Sequence, residues 1–220
     1  MTETGPVSFM TRVSDEDVDI RCTTVGRVMP NTECRVARDD GSVAAVGEAG
    51  ELQTKGYLCM VGYDGNPAAT EEIMTPCGFL KTGDVAVIDA AGYARIVGRM
   101  KDTVKRAGEN LFPREVEECI LELPAVAGVQ VVGVPDPKYG EELCAVAIFK
   151  ATAPAGGEER TKLVRDYVKG QLSHQKVPRY VLSVDSLDPW LTVTGKVQKH
   201  KLAEFASDKL GLRPPGAAAS

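Results

Sequence analysis

A run of thirteen residues, 98–110, concentrates positive charge beside glycine. Its four cations are Arg99, Lys101, Lys105 and Arg106, and Gly98 and Gly108 bracket them. Glycine adopts backbone conformations that other residues resist, and Lys and Arg suit the binding of phosphate groups. An apolar run precedes the cations, and Pro113 after them is typical of the first residue of a helix. The pattern predicts a mobile loop, between a strand and a helix, that can hold a phosphorylated ligand.

Two further motifs contain groups that suit a nucleotide. Residues 81–84, Lys-Thr-Gly-Asp, place a carboxylate just after a glycine, and residues 192–196, Thr-Val-Thr-Gly-Lys, place an ammonium there. A carboxylate can accept two hydrogen bonds from a diol, and a Lys side chain carries its charge on a flexible stem that can reach a phosphate oxygen. Either motif alone is a weak signal.

Taken together, the motifs resemble those of a known family. The chain is similar to the C-terminal part of an AMP-forming acyl-CoA synthetase, from the adenylate-forming superfamily that also contains luciferases and the adenylation domains of peptide synthetases. The resemblance extends from residue 1 to about residue 202. Its motifs, six in the family's order, are Met1–Thr4, Gly50–Leu52, Gly62–Thr70, Thr82–Asp84, Gly98–Asn110 and Thr194–Lys196.

The resemblance implies an α+β fold in two parts. Residues 1–98 would form the β-rich end of the large AMP-binding N-terminal domain, residues 99–102 a hinge, and residues 103–205 a small α+β lid. Apolar runs of strand length at 129–134, 143–149 and 179–184, and helical spacing at 158–172 and 198–210, agree with this lid. Residues 206–220 are assigned to a loose tail, which overlaps the end of the last helix.

The resemblance implies a reaction in two steps, with Lys196 as the catalytic cation of the first. A carboxylate attacks the α-phosphate of ATP to give acyl-AMP, and the thiol of CoA then displaces AMP. The first step brings anions together, so loss of Lys196 should lower its rate roughly 10²–10³-fold. The alternative is a solvated surface lysine beside Lys199 and Lys201. Trp190 stands where the family usually has proline, so the path of the loop is expected to differ slightly.

Further nucleotide contacts follow from the same resemblance. Asp84 would bind the ribose hydroxyls, and Arg99 would act on ribose or phosphate from the other side. The alternatives are a turn aspartate for Asp84 and a salt bridge for Arg99 to an acid such as Asp102. Thr2 and Glu3 match the segment that contacts phosphate and Mg²⁺, for which a carboxylate is a suitable ligand. The alternative is a frayed terminus.

The resemblance also implies a motion and a site for CoA. Lys101, with Asp102 beside it, matches the hinge position, about which the lid is expected to rotate between the two steps. Gly108 and Glu109 would line the tunnel for the pantetheine arm of CoA. Lys105 and Arg106 would assist its phosphates, with a solvated basic face as the alternative.

Composition limits the classes of function. The net charge of −5 in 220 residues does not favour nucleic acid. We expect no membrane span and no secretory signal, because the sequence shows neither a long apolar run nor a charged-then-apolar segment near residue 1. The six scattered cysteines predict reduced thiols in or near the core and a cytoplasmic protein. With two histidines in the sequence, a histidine-based catalytic centre or zinc site is not expected.

The chain contains no Gly-rich, Ser/Thr-rich phosphate loop. We therefore expect a fragment that needs the missing N-terminal region and cannot make acyl-AMP alone. The expected substrates are ATP with Mg²⁺, CoA and a carboxylic acid, with a fatty acid favoured. Two alternatives remain open, namely an adenylation domain that serves a carrier protein and a non-catalytic module that binds a nucleotide or a partner.

Overall fold

A computed structural model describes residues 1–212 of the chain. The described residues fold into two compact units, which divide between Lys101 and Asp102. Each unit combines helices with antiparallel strands, as the expected α+β class requires.

The first unit is built on a four-stranded antiparallel sheet in chain order, β3-β4-β5-β6, and a separate β1–β2 pair. Its strands are β1 (Phe9–Met10), β2 (Arg27–Val28), β3 (Thr32–Ala37), β4 (Gly50–Gly56), β5 (Leu80–Ile88) and β6 (Ala94–Arg99), and its helices are α1 (Val18–Thr23) and α2 (Pro67–Ile73). Local sequence explains the helix start, since Asn66 Oδ1 accepts a hydrogen bond from the backbone of Ala69, 3.1 Å away, and Pro67 opens α2.

The second unit places one sheet between two helical layers. Its elements are β7 (Val104–Arg106), β8 (Glu109–Leu111), α3 (Pro113–Leu121), β9 (Val126–Asp136), β10 (Gly140–Phe149), α4 (Gly157–Gln171), β11 (Tyr180–Ser183) and α5 (Lys199–Leu210). β10 pairs antiparallel with β9 and parallel with β11, and the β7–β8 hairpin joins it where Gly140 lies opposite Arg106.

Two apolar clusters hold this sheet to its helices. One contains Leu143, Ala145 and Ala147 of β10 with residues of α3 and α4. The other contains Cys144 and Val146 with Leu202 and Ala206 of α5. Successive side chains of a strand point to opposite faces, so α3 and α4 cover one face of the sheet and α5 covers the other.

Two expectations need correction. Residues 206–210 belong to α5 and not to a loose tail, because Leu202 and Ala206 are buried on one stripe of the helix. The rest of the expected tail, residues 213–220, lies outside the described residues. All six cysteines are free thiols, but Cys22 and Cys77 are exposed, so they do not lie in or near the core.

Within residues 1–212, no helix is long and apolar enough to cross a bilayer.

The two adjacent residues that end α3 provide a test of the core. Ile120 is 0% exposed and packs under the sheet, whereas Leu121 is 49% exposed. Ile120→Ala should lower the free energy of unfolding by about 2–5 kcal/mol, because it leaves a cavity. Leu121→Ala should cost less than about 1 kcal/mol. Urea denaturation of both variants measures the difference, and equal losses would contradict this description of the core.

Candidate active site

Residues Thr82–Asp84 form a bulge in β5 opposite a single residue of β4. Glu51 lies opposite Val85 and Gln53 lies opposite Lys81, so Leu52 faces the whole motif. Thr82 Oγ1 donates a hydrogen bond to the carbonyl oxygen of Leu52 (2.7 Å) and accepts one from the backbone of Asp84 (3.1 Å). Gly83 has φ +68°, a conformation that glycine adopts at no steric cost. The motif therefore bends the strand at the point where Asp84 begins to pair with β6.

The structure brings Asp84 and Arg99 together. They lie opposite each other on β5 and β6, and Arg99 Nε is 2.9 Å from Asp84 Oδ1. Arg99 thus forms an ion pair with Asp84, whereas the sequence had suggested Asp102 as one acid that it could meet. The Asp84 side chain is mostly buried and that of Arg99 is half exposed. The pair can present a hydrogen-bond acceptor and a cation to the same ligand.

The N-terminal segment is packed and not frayed. Residues Thr2–Thr4 form a 3₁₀ turn with Thr4 buried, and the carbonyl oxygen of Glu3 accepts a hydrogen bond from Met60 (2.8 Å). The hydroxyl group of Tyr63 donates a hydrogen bond to Glu3 Oε1 (3.0 Å). The pKa of the Glu3 carboxyl is lowered, mostly by a hydrogen bond from its own backbone and less by the one from Tyr63. The carboxyl is therefore ionised at neutral pH. An ionised, part-exposed carboxylate suits Mg²⁺.

The residues of the expected hinge lie where the compact units divide. Met100–Asp102 form a 3₁₀ turn, and the division falls between Lys101, which is exposed, and Asp102. Rotation at this position stays a prediction.

The β7–β8 hairpin carries Gly108 at the tip of a two-residue turn. Ala107 has φ +51° and Gly108 has φ +85°. Left-handed backbone costs an alanine roughly 1–2 kcal/mol, and the Ala107 N–H offsets this by donating to the carbonyl oxygen of Tyr139 (2.9 Å). A Cβ atom built on Gly108 would meet no atom within 4 Å. The turn thus presents an open backbone surface next to the exposed Glu109.

Two acids at the start of β10 hold this hairpin. Glu141 Oε2 accepts a hydrogen bond from the backbone of Lys105 (2.6 Å), and Glu142 Oε1 accepts one from Arg106 Nε (2.8 Å). The Arg106 and Glu142 side chains are 15% and 3% exposed, and the Arg106 guanidinium stacks 4.4 Å from the centre of the Tyr139 ring. Arg106 is therefore not part of a solvated basic face, whereas the Lys105 side chain is exposed.

Asp136 organises the turn that leads into β10. Its Oδ1 accepts hydrogen bonds from the backbones of Lys138 (2.9 Å) and Tyr139 (2.8 Å), and its Oδ2 accepts one from Arg179 (2.8 Å). The hydrogen bond from Tyr139, more than any other contact, lowers the pKa of the Asp136 carboxyl. Tyr139, which packs against Arg106, is held in place by this turn.

A groove of about 1020 Å³ opens beside this network, between α4 and β11. Cations outnumber acids in its lining, in which the Lys and Arg residues are Arg106, Lys162, Arg165, Lys169, Arg179 and Lys209, and the acids are Glu142, Glu158 and Asp166. Except for Arg106, none of these cations was a candidate from the sequence. The spacing of Lys162, Arg165 and Lys169 on one helix face was the available signal.

Lys196 lies on a tight exposed loop. Thr192 donates its N–H to the carbonyl oxygen of Lys196 (2.8 Å), and Lys196 donates its N–H to Thr192 Oγ1 (3.0 Å). Gly195 has φ +77°. Trp190, at the position usually taken by proline in the family, packs on Phe205 with 4.6 Å between ring centroids. Within the described residues no acid lies within 4.0 Å of the Lys196 ammonium.

Comparisons with known proteins show what each part of the chain is similar to. A family model described as AMP-binding enzyme matches residues 1–64, and one described as AMP-binding enzyme C-terminal domain matches residues 115–196. The chain is 41% identical over 212 residues to medium-chain acyl-CoA ligase ACSF2, mitochondrial, of Bos taurus. It is 43% identical over 213 residues to the putative acyl-CoA synthetase YngI of Bacillus subtilis (strain 168).

These two alignments cover 96% of this chain but 33% and 37% of the relatives, so the chain spans about a third of the length of the curated relatives it matches. Among solved structures, the ATP-bound RpMatB-BxBclM chimera B1 matches with a TM-score of 0.83 at 32% identity, over 94% of this chain and 40% of that chain. Both family models describe AMP-binding enzymes, and the chain is similar to this family in each of its two compact units.

The Asp136 network predicts a response to acid. Since the folded pKa of this carboxyl lies below its unfolded value of about 3.9, its contribution to stability is present above that pH and is lost as the pH falls through the folded pKa. Asp136→Asn should therefore lower the urea midpoint at pH 7 and reduce the loss of stability as the pH falls from about 5 to about 2. Asp185→Asn, at an exposed position, is the control, and parallel pH curves for the parent and Asp136→Asn would contradict the prediction.

Proposed function

We propose that this chain supplies the C-terminal part of an AMP-forming acyl-CoA synthetase. The enzyme joins a carboxylate oxygen to the α-phosphorus of ATP, with loss of pyrophosphate. The CoA sulfur then bonds to the acyl carbon, AMP leaves, and the thiol proton passes to solvent. The observation that carries this proposal is that Lys196 lies exposed on a structured loop and pairs with no acid of residues 1–212, in a chain that is 41% and 43% identical to a protein named as an acyl-CoA ligase and one named as a putative acyl-CoA synthetase.

Lys196 supplies positive charge to the first step. The attacking carboxylate and the phosphates of ATP repel one another, and a cation that meets them in the transition state lowers the barrier. The exposed ammonium of Lys196 can approach an anionic ligand, because no carboxylate of the described chain neutralises it. The backbone hydrogen bonds with Thr192 keep the loop in a defined conformation.

The first unit contributes contacts to the nucleotide and its metal. Asp84 accepts hydrogen bonds from the ribose hydroxyls, and Arg99, which lies 2.9 Å away, adds positive charge next to them. Glu3 is the residue for Mg²⁺, with its carboxylate oriented by Tyr63, and Thr2 lies exposed beside it for a phosphate oxygen. Mg²⁺, when bound, neutralises phosphate charge.

The second unit provides the contacts to CoA. Gly108 offers a turn without side-chain obstruction to the pantetheine arm, and Glu109 follows it. Arg106 begins the turn and also lines the basic groove. The groove is large enough for a nucleotide, and its excess of Lys and Arg suits the phosphates of CoA. Lys105, which is exposed on the same hairpin, adds a further cation.

The acid is proposed to be a fatty acid. This rests on the similarity to a protein named as a medium-chain acyl-CoA ligase, and a medium chain is the first length to test. Because the sequence has no Gly-rich phosphate loop, we propose that the 220-residue chain alone does not form acyl-AMP and needs an N-terminal region that supplies one. The cytoplasm stays our proposed location, although the bovine relative is named as mitochondrial.

The role of Lys196 is tested in a full-length enzyme that carries this chain. Lys196→Ala should lower pyrophosphate release, with ATP, Mg²⁺ and a fatty acid panel, by about 10²–10³-fold. Formation of the thioester from preformed acyl-AMP should change little, because that step does not involve the carboxylate–phosphate repulsion. Lys201→Ala, at an exposed position on α5, is the matched control. Equal rates for Lys196→Ala and Lys201→Ala would contradict the assignment.

The CoA site is tested by calorimetry on the 220-residue chain with CoA, AMP and a non-hydrolysable acyl-AMP mimic. Gly108→Val should weaken CoA binding about tenfold or more, because its side chain projects into the approach of the thiol arm. Gly92→Val is the control, since Gly92 has nearly the same φ (+84° against +85°) and equally open space. Absence of binding to all three ligands would favour a fragment that has no function on its own.

A further inference from the structure

Glu117 and Lys199 form an ion pair that joins two motifs distant in the sequence. Lys199 Nζ lies 2.6 Å from Glu117 Oε1, and the two side chains are 18% and 13% exposed. Glu117 belongs to α3, which follows the Gly108 hairpin, and Lys199 is the first residue of α5, three positions after Lys196. Neither residue is among the predicted contacts to substrate.

β9 provides the third partner of this pair. Glu117 Oε1 also accepts a hydrogen bond from the backbone N–H of Val131 (2.8 Å), and Lys199 Nζ donates to the carbonyl oxygen of Val131 (3.3 Å). Val131 is itself fully buried in the sheet. The pair therefore fixes the first residue of α5 to the central sheet of the unit.

The Lys196 loop has no anchor in the core among its own residues. No residue of 192–196 is buried, and Val193 is fully exposed. The arm before the loop is held by Trp190, which packs on Phe205. The arm after the loop bonds to the first arm, because Gln198 donates its backbone N–H to the carbonyl oxygen of Trp190 (2.8 Å) and its side-chain amide to that of Leu191 (3.2 Å). The Lys199 ion pair is the contact that ties this second arm to α3 and β9.

We propose that Glu117 and Lys199 are positioning residues for the adenylation step, an inference that rests on the proposed role of Lys196. The ion pair fixes the position of the start of α5. This position determines how far the Lys196 ammonium, three residues earlier, can reach from the sheet. The Gly108 hairpin depends on it less, because Val104 and Leu111 anchor that hairpin in the core and Glu142 binds Arg106. Loss of the pair should therefore affect the two chemical steps unequally.

The structural part is tested by amide hydrogen exchange on the 220-residue chain. Lys199→Met should accelerate exchange at Thr192 and Gln198, whose N–H groups bond across the loop at 2.8 Å, by about tenfold relative to the amides of β10. Glu118→Gln is the matched control on the same helix, because Glu118 pairs with Arg114 where both side chains are more than half exposed. Should Lys199→Met not fold, Glu117→Gln, which keeps the shape of the side chain, takes its place.

The functional part is tested in a full-length enzyme that carries this chain. Lys199→Met should lower kcat for pyrophosphate release about tenfold with KM for ATP nearly unchanged, and should lower thioester formation from acyl-AMP by less than about threefold. Lys199→Arg, which preserves the charge, should restore kcat, and Glu118→Gln should leave it unchanged. A uniform loss in both steps, without rescue by Lys199→Arg, would show a general structural role and overturn the proposal.

The two tests separate this inference from the proposed function. Unchanged exchange in the loop overturns the positioning role. The proposed function is then judged separately, by the effect of Lys196→Ala on pyrophosphate release. Faster exchange with no loss of pyrophosphate release overturns the positioning role too, and it also counts against Lys196 as the adenylation cation. Faster loop exchange together with a selective loss in adenylation supports both.

Discussion

The burial of β10 on both faces is the constraint on which the second unit depends. Leu143, Ala145 and Ala147 face α3 and α4, and Cys144 and Val146 face α5. A strand covered on both faces must be apolar throughout its length, so its charged residues can stand only at its ends. Glu141 and Glu142 follow Gly140 at the start of the strand, and there they hold the β7–β8 hairpin. The same strand thus forms the core and fixes the loop proposed to admit CoA.

Charge is used in this protein mainly to connect elements. Arg106 with Glu142, and Lys199 with Glu117, join segments that are distant in the sequence and mostly screened from solvent. Removing one partner of such a pair leaves an uncompensated charge, which costs about 3–5 kcal/mol, whereas exposed pairs contribute about 0–1 kcal/mol. The net charge of −5 therefore says little about local chemistry. Many acids neutralise cations that connect elements, and other cations, such as Lys196, stay available to ligands.

The sequence predicted the features that depend on local order. Helical spacing identified α4 and α5, apolar runs identified β10 and β11, and short motifs identified Asp84, Gly108 and Lys196 as candidates. It did not predict the Asp84–Arg99 pair, since strand register decides that contact and a bulge on either strand shifts it. Nor did it predict the Arg106–Glu142 pair or the basic groove, whose residues are brought together only by folding across separations such as 36 positions. Propensity patterns carry no information about contacts of this kind.

The burial of Cys144 gives the chain a chemical reporter of its own opening. Desolvation in the middle of β10 raises the pKa of this thiol to about 12, and the side chain is 0% exposed. An alkylating reagent requires both access and a thiolate, and the native strand denies it both. Cys77 is exposed, and hydrogen bonding by Thr75 lowers its pKa, so it is open to the same reagent in the native fold. Modification at residue 144 therefore marks molecules in which β10 has parted from its neighbours, and modification at residue 77 does not.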